Sequence, residues 1–102
     1  MIIGTLTLRF RLHAVRSLKG KRQIASSLKQ KLRNRFNVSV SEICAQDSHD
    51  RLVLGVVTVS NDTRHAQSTL SKALDFVQSS TSEELMDTSV EIFSADDPSD
   101  TL

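Results

Sequence analysis

The sequence predicts one α+β domain with the element order βαββαβ, and three observations carry that prediction. Apolar and polar residues alternate over Ile2 to Leu12, apolar residues recur every third or fourth position over two longer stretches, and three further apolar stretches have strand length. With 102 residues, 38% of them hydrophobic and 25% charged, the chain holds enough apolar material for one core and is too apolar to stay disordered.

In the first strand Leu6, Leu8, Phe10 and Leu12 alternate with Thr5, Thr7, Arg9 and Arg11, the period of a sheet with one covered face. From Leu18 to Phe36 the period becomes helical. Ile24, Leu28 and Leu32 fall four apart, with Ala25, Leu18 and Phe36 beside them. Val38 and Val40 open a second strand that runs through Ile43 and Ala45, where a one-residue slip of phase predicts a bulge.

Gln46 to Arg51 is a turn. Leu52 to Val59 is a continuous apolar run carrying Gly55, the mark of a central strand covered on part of both faces. Ser60, Asn61 and Asp62 supply oxygen acceptors to cap a second helix, whose apolar stripe is Ala66, Leu70, Ala73, Leu74 and Val77. Gln78 to Ser82 reads as a serine-rich loop, and Leu85 to Phe93 as the last strand.

This order implies a split βαβ pair, the ferredoxin-like arrangement: a four-stranded antiparallel sheet with two helices on one face and the other face open. Residues 1–93 make the single domain. Residues 94–102 are small, acidic or turn-forming and include the only proline, Pro98, which predicts a flexible acidic tail.

The net charge of +1 conceals a strong asymmetry. Residues 1–41 hold ten cations and no acid, whereas residues 42–102 hold three cations and twelve acids, +10 against −9. Such a division predicts one anion-attracting surface on an acidic body. On a helical wheel Arg22, Lys29 and Arg33 fall on one stripe with Ser26 between them and Lys19 at its edge, away from the apolar stripe. A solvated helix face normally mixes signs to gain i to i+4 pairs, whereas every neighbour here repels. The stripe therefore suits phosphates along a nucleic acid strand.

The stretch Arg16-Ser17-Leu18-Lys19-Gly20-Lys21-Arg22 places four cations at the helix start, where the macrodipole is already positive. A bound anion would relieve that conflict, with Gly20 permitting close approach. Equally, Ser17 caps the helix and the long side chains spread into water. Lys21 lies toward the apolar stripe, so its ammonium is expected to emerge at the helix end. Arg9 and Arg11 point to the open sheet face. RNA-recognition motifs share this layout but stack bases on sheet aromatics, and here Phe10, Phe36, Phe76 and Phe93 are all assigned to the core or its margin. Backbone or shape recognition is the mode that remains.

Signals for catalysis are thin. His13, His49 and His65 lie in different elements, no Gly-rich phosphate loop occurs, and Cys44, the only cysteine, sits in an apolar strand as a small core residue would. No metal, cofactor or disulfide is expected. A single thiol and the absence of a leader or of a run of about 20 apolar residues predict a cytoplasmic protein away from membranes.

The Arg16 to Arg22 stretch, the run from Leu32 to Glu42, Ala45-Gln46-Asp47, and Leu54-Gly55 through Ser60-Asn61-Asp62 to Arg64-His65 together resemble the YlxP-like family of small bacterial proteins, whose function is unassigned. The likeness spans residues 1–93 and rests on four blocks in the same order. It implies a ferredoxin-like fold, a bacterial cytoplasm and genomic company with translation and ribosome-maturation factors. It brings no established catalytic residues. Gly20 departs from the family, which more often has a polar or acidic residue there.

The expected function is that of a non-catalytic RNA-binding or ribosome-associated factor, with Arg9, Arg11, Arg16, Lys19, Lys21, Arg22, Lys29 and Arg33 as its phosphate surface. The alternative is a homo-oligomeric protein-interaction module that uses the open sheet face or an edge strand, a homodimer in the simplest case.

Overall fold

A computed structural model describes residues 1–96 of the chain. Its elements are β1 (Ile2–Arg11), α1 (Leu18–Arg35), β2 (Ser39–Cys44), β3 (Arg51–Ser60), α2 (Thr63–Ser80) and β4 (Glu84–Ser94). The strands form one antiparallel sheet in the order β2-β3-β1-β4. Both helices cover the same face, so the arrangement is the ferredoxin-like one.

The alternation in β1 sorts its side chains as expected. Leu6, Leu8 and Phe10 are buried beneath the helices, while Arg9 and Arg11 are exposed on the other side. From β3, Leu52, Leu54 and Val56 join them, and Leu28, Leu32, Leu70, Ala73 and Val77 close the core from above. Each of the leucine, valine and phenylalanine side chains among them stabilises the fold by roughly 1.5–3 kcal/mol when fully withdrawn from water. Helix α2 crosses β1 closely at Gly4, where a Cβ would stand 3.0 Å from Leu70 Cδ1 and 3.2 Å from Thr58 Cγ2.

The caps follow the sequence. Ser17 Oγ accepts from the Gly20 amide at 3.1 Å, and Asp62 Oδ1 accepts from the Arg64 amide at 3.3 Å. The expected bulge in β2 falls between Glu42 and Cys44, and beyond it Ala45 takes the left-handed φ of 60°. A second shift of register, between β1 and β4 at Arg9/Phe10, has no counterpart in the sequence pattern.

Two boundaries differ from expectation. The serine-rich stretch is the last turn of α2, not a loop: the hydroxyls of Ser79 and Ser80 both donate to the Phe76 carbonyl, at 3.0 and 2.5 Å, and Thr81 is the C-cap. Both bonds run back to the carbonyl three or four residues earlier, the pattern of serine hydroxyls within a helix. In addition, β4 reaches Ser94, and the Ala95 amide donates to the Met1 carbonyl at 2.8 Å, so ordered pairing passes the expected start of the tail at 94. Residues 97–102 of that tail lie outside the described residues.

Candidate nucleic-acid interface

Helix α1 buries Lys21, Ala25, Leu28 and Leu32 against β2 and β3. The opposite side carries Lys19, Arg22, Ser26 and Arg33 in solvent, with Lys29 half-buried among them. Among the described residues none of Arg16, Lys19, Arg22, Lys29 and Arg33 has an acidic partner within ion-pair distance. Arg33 Nε turns back to donate to the Lys29 carbonyl at 3.4 Å. From Lys19 to Arg33 the stripe runs about 21 Å at the helical rise of 1.5 Å per residue. It is a row of unneutralised cations with solvent in front of it.

Lys21 does not belong to that surface, contrary to the expectation from its sequence position. Its side chain is 1% exposed, and its ammonium donates to the carbonyls of Ala45 at 2.7 Å, Arg51 at 3.2 Å and Gln46 at 3.3 Å, with Glu42 Oε2 at 2.9 Å. The ammonium does not emerge at the helix end because the β2–β3 hairpin closes over it. Two pattern breaks signal this. Glu42 sits in phase with Val40 on the helix-facing side of β2, and Lys21 sits on the apolar stripe of α1.

The remaining candidates divide. On the open sheet face Arg9 Nη1 lies 3.5 Å from Asp87 Oδ2, so its charge is matched across the strand pair. Arg11 is exposed and stands opposite Glu84 in register, but Glu84 Oε1 is taken up by His13 Nε2 at 2.6 Å. At the start of α1 the Ser17 cap occupies the Gly20 amide, the local arrangement that needs no anion. Arg35 lies over the Phe76 ring, 4.8 Å from its centroid.

The open face also carries apolar side chains. Register places Val59, Ile3 and Phe93 in one cross-strand row, with Val59 55% and Phe93 48% exposed, and Val57 and Ile43 nearby are exposed as well. Ile43 lies over Gly55, where a Cβ would stand 2.9 Å from its Cγ2. Cys44 is exposed at the bulge, not in the core. Among the described residues no three His, Cys, Asp or Glu groups converge as metal ligands, and no helix is long and apolar enough to cross a membrane.

Residues 3–90 match the model of a family described as "Protein of unknown function (DUF503)". A curated relative, the "Uncharacterized protein YlxP" of Bacillus subtilis (strain 168), is 36% identical over 63 residues, which is 62% of this chain and 68% of the relative. A crystal structure of a mutant of SnoaB, a cofactor-independent oxygenase from Streptomyces nogalater, aligns over 94% of this chain and 95% of its own at 13% identity, with a TM-score of 0.48. A likeness that weak bears on neither mechanism nor ligand.

Proposed function

This chain belongs to the DUF503 family of proteins of unknown function, and on that premise we propose that it is a non-catalytic RNA-binding or ribosome-associated factor. It holds phosphates along the outer face of α1. The observation that carries this reading is the solvent-facing row of Lys19, Arg22, Lys29 and Arg33, left without acidic partners among the described residues. A structural surface would place some acids at i+4 from the cations, where each pair stabilises the helix by about 0.2–0.5 kcal/mol. No acid lies within the helix at all.

The test is equilibrium binding of the full chain to a structured ribosomal RNA fragment across a salt series, with duplex DNA as competitor. Steeply salt-dependent binding that DNA competes poorly is the expected result. No binding even at low salt overturns the reading.

A second reading is favoured by the apolar row Val59, Ile3 and Phe93: the open sheet face pairs with the same face of a second copy. Four strands about 4.8 Å apart and some 30 Å long present roughly 500–600 Å². Two copies would bury about 1,000–1,200 Å², near the lower bound for a specific interface. A two-fold axis lets one patch serve both subunits. Light scattering at several concentrations tests it, and a strictly monomeric chain removes it.

A further inference from the structure

A cleft of about 460 Å³ opens at the end of the sheet near the start of α1, between the β1–α1 connection and the β2–β3 turn. Arg11, His13, Val15 and Arg16 line one wall, and His49 and Asp50 the other. We propose that this cleft binds a phosphate monoester, with the guanidinium groups of Arg11 and Arg16 as its principal ligands. The inference deepens the RNA reading and rests on it, since the monoester it names is the 5′ end of an RNA strand. A free mononucleotide carries the same chemistry.

The walls are held before any ligand arrives. The Leu12 amide donates to the Asp50 carbonyl at 2.8 Å, which ties the two connections together at the base of the cleft. On the far side of the turn the Lys21 ammonium holds the carbonyls of Ala45, Gln46 and Arg51. Two acids stand near the cleft: Glu84 Oε1 is paired with His13 Nε2, and Asp50, whose Oδ1 accepts from Ser48 Oγ at 2.6 Å, leaves one negative charge on the wall against the two guanidinium groups of Arg11 and Arg16. Arg11 and Arg16 have no acidic partner among the described residues. Two guanidinium forks beside a preset cleft are the arrangement that recognises a phosphate by paired, charge-assisted hydrogen bonds.

The volume argues for more than an ion. It falls within the roughly 300–1,000 Å³ of small-molecule sites, and Val15 gives the wall an apolar stretch against which a sugar can rest. A chain end is favoured over an internal phosphodiester because a terminal monoester carries up to two charges and three free oxygens, which two guanidinium forks can engage together. Arg16 then stands immediately before the α1 stripe, and a strand that starts in the cleft continues along Lys19 and Arg22.

The experiment compares one RNA oligonucleotide in 5′-phosphorylated and 5′-hydroxyl forms, together with AMP, in titrations of the full chain followed by amide NMR. The phosphorylated strand is expected to bind roughly tenfold tighter, the scale of a bidentate charge-assisted contact. AMP should saturate, with shifts confined to residues 11–16 and 48–51. Arg11→Gln and Arg16→Gln, each exposed and outside the core, should each abolish the preference while leaving the spectrum of a folded chain. Equal binding of both strands with no saturation by AMP overturns the cleft assignment yet leaves the α1 reading standing if binding is still salt-steep. Saturation by AMP with neither strand bound supports the monoester site and overturns the RNA reading instead.

Discussion

Lys21 and Glu42 face each other between α1 and β2 with Nζ 2.9 Å from Oε2, an ion pair buried under the hairpin. The same ammonium also lies within hydrogen-bond distance of three backbone carbonyls, those of Ala45, Gln46 and Arg51, so four acceptors share its three protons. The first of these carbonyls belongs to Ala45, the residue with left-handed φ. One side chain of α1 therefore sets the path of the hairpin that follows the β2 bulge.

Replacing Lys21 by methionine should cost about 3–5 kcal/mol of folding stability, the usual penalty for stranding one member of a buried pair. Here the stranded groups are the Glu42 carboxylate and three carbonyls. Urea unfolding measures it, and adding Glu42→Leu should recover part of the loss by removing the unpaired charge. A loss below about 1 kcal/mol for the single variant would show that the hairpin does not depend on the clamp.

Much of this fold is legible in the sequence, and the places where it is not share a cause. The period of β1 and the stripe of α1 report which face is covered, because burial acts on every second or every third to fourth residue. The fate of Lys21 depends on what covers that side of the helix, and the covering hairpin is 24 to 30 residues away in the chain. Likewise, the charge of Arg9 is met by Asp87 only because β4 pairs with β1 in one register, which no local pattern specifies. The exposed stripe is the opposite case. Its azimuth follows from spacing alone, and the helical period by itself brings Arg22, Lys29 and Arg33 together. The cleft at Arg11 and Arg16 draws on two connections that meet only in the folded chain, so no run of residues marks it.

Neutralising that stripe as Arg22→Gln, Lys29→Gln and Arg33→Gln together should lower RNA affinity and reduce the slope of log K against log salt by about two to three. Each phosphate contact contributes about 0.7 on single strands and 0.9 on duplexes. Helicity should persist, since removing like charges relieves repulsion along α1. An unchanged slope in the triple variant would place the phosphate contacts elsewhere.

The Asp50 carboxyl is held below the ordinary carboxylate value, chiefly because Ser48 donates to it, while desolvation opposes the shift. Ser48→Ala should therefore move it upward, as followed by carboxyl NMR. The sign for stability follows: a depressed folded value favours the folded state above the unfolded value, and that contribution fades as pH falls through the folded value. Asp50 is exposed, so wild type and Ser48→Ala should differ little in stability at neutral pH and converge further in acid. A Ser48→Ala protein with an unmoved Asp50 would assign the shift to the backbone of the turn instead.

Phe93 is half exposed and lies beside Ile3, which in turn lies beside Val59, so a charge at position 93 would enter the β4 end of the apolar row without disturbing the helix-covered core. If two copies meet there, Phe93→Glu places one desolvated carboxylate from each copy in the interface, so a twofold axis counts the penalty twice. The variant should remain folded and run as a monomer at concentrations where the unaltered chain scatters as a dimer. A dimer that survives Phe93→Glu would move the interface to an edge strand, and β2, with only six residues, offers a shorter edge than β4 with eleven.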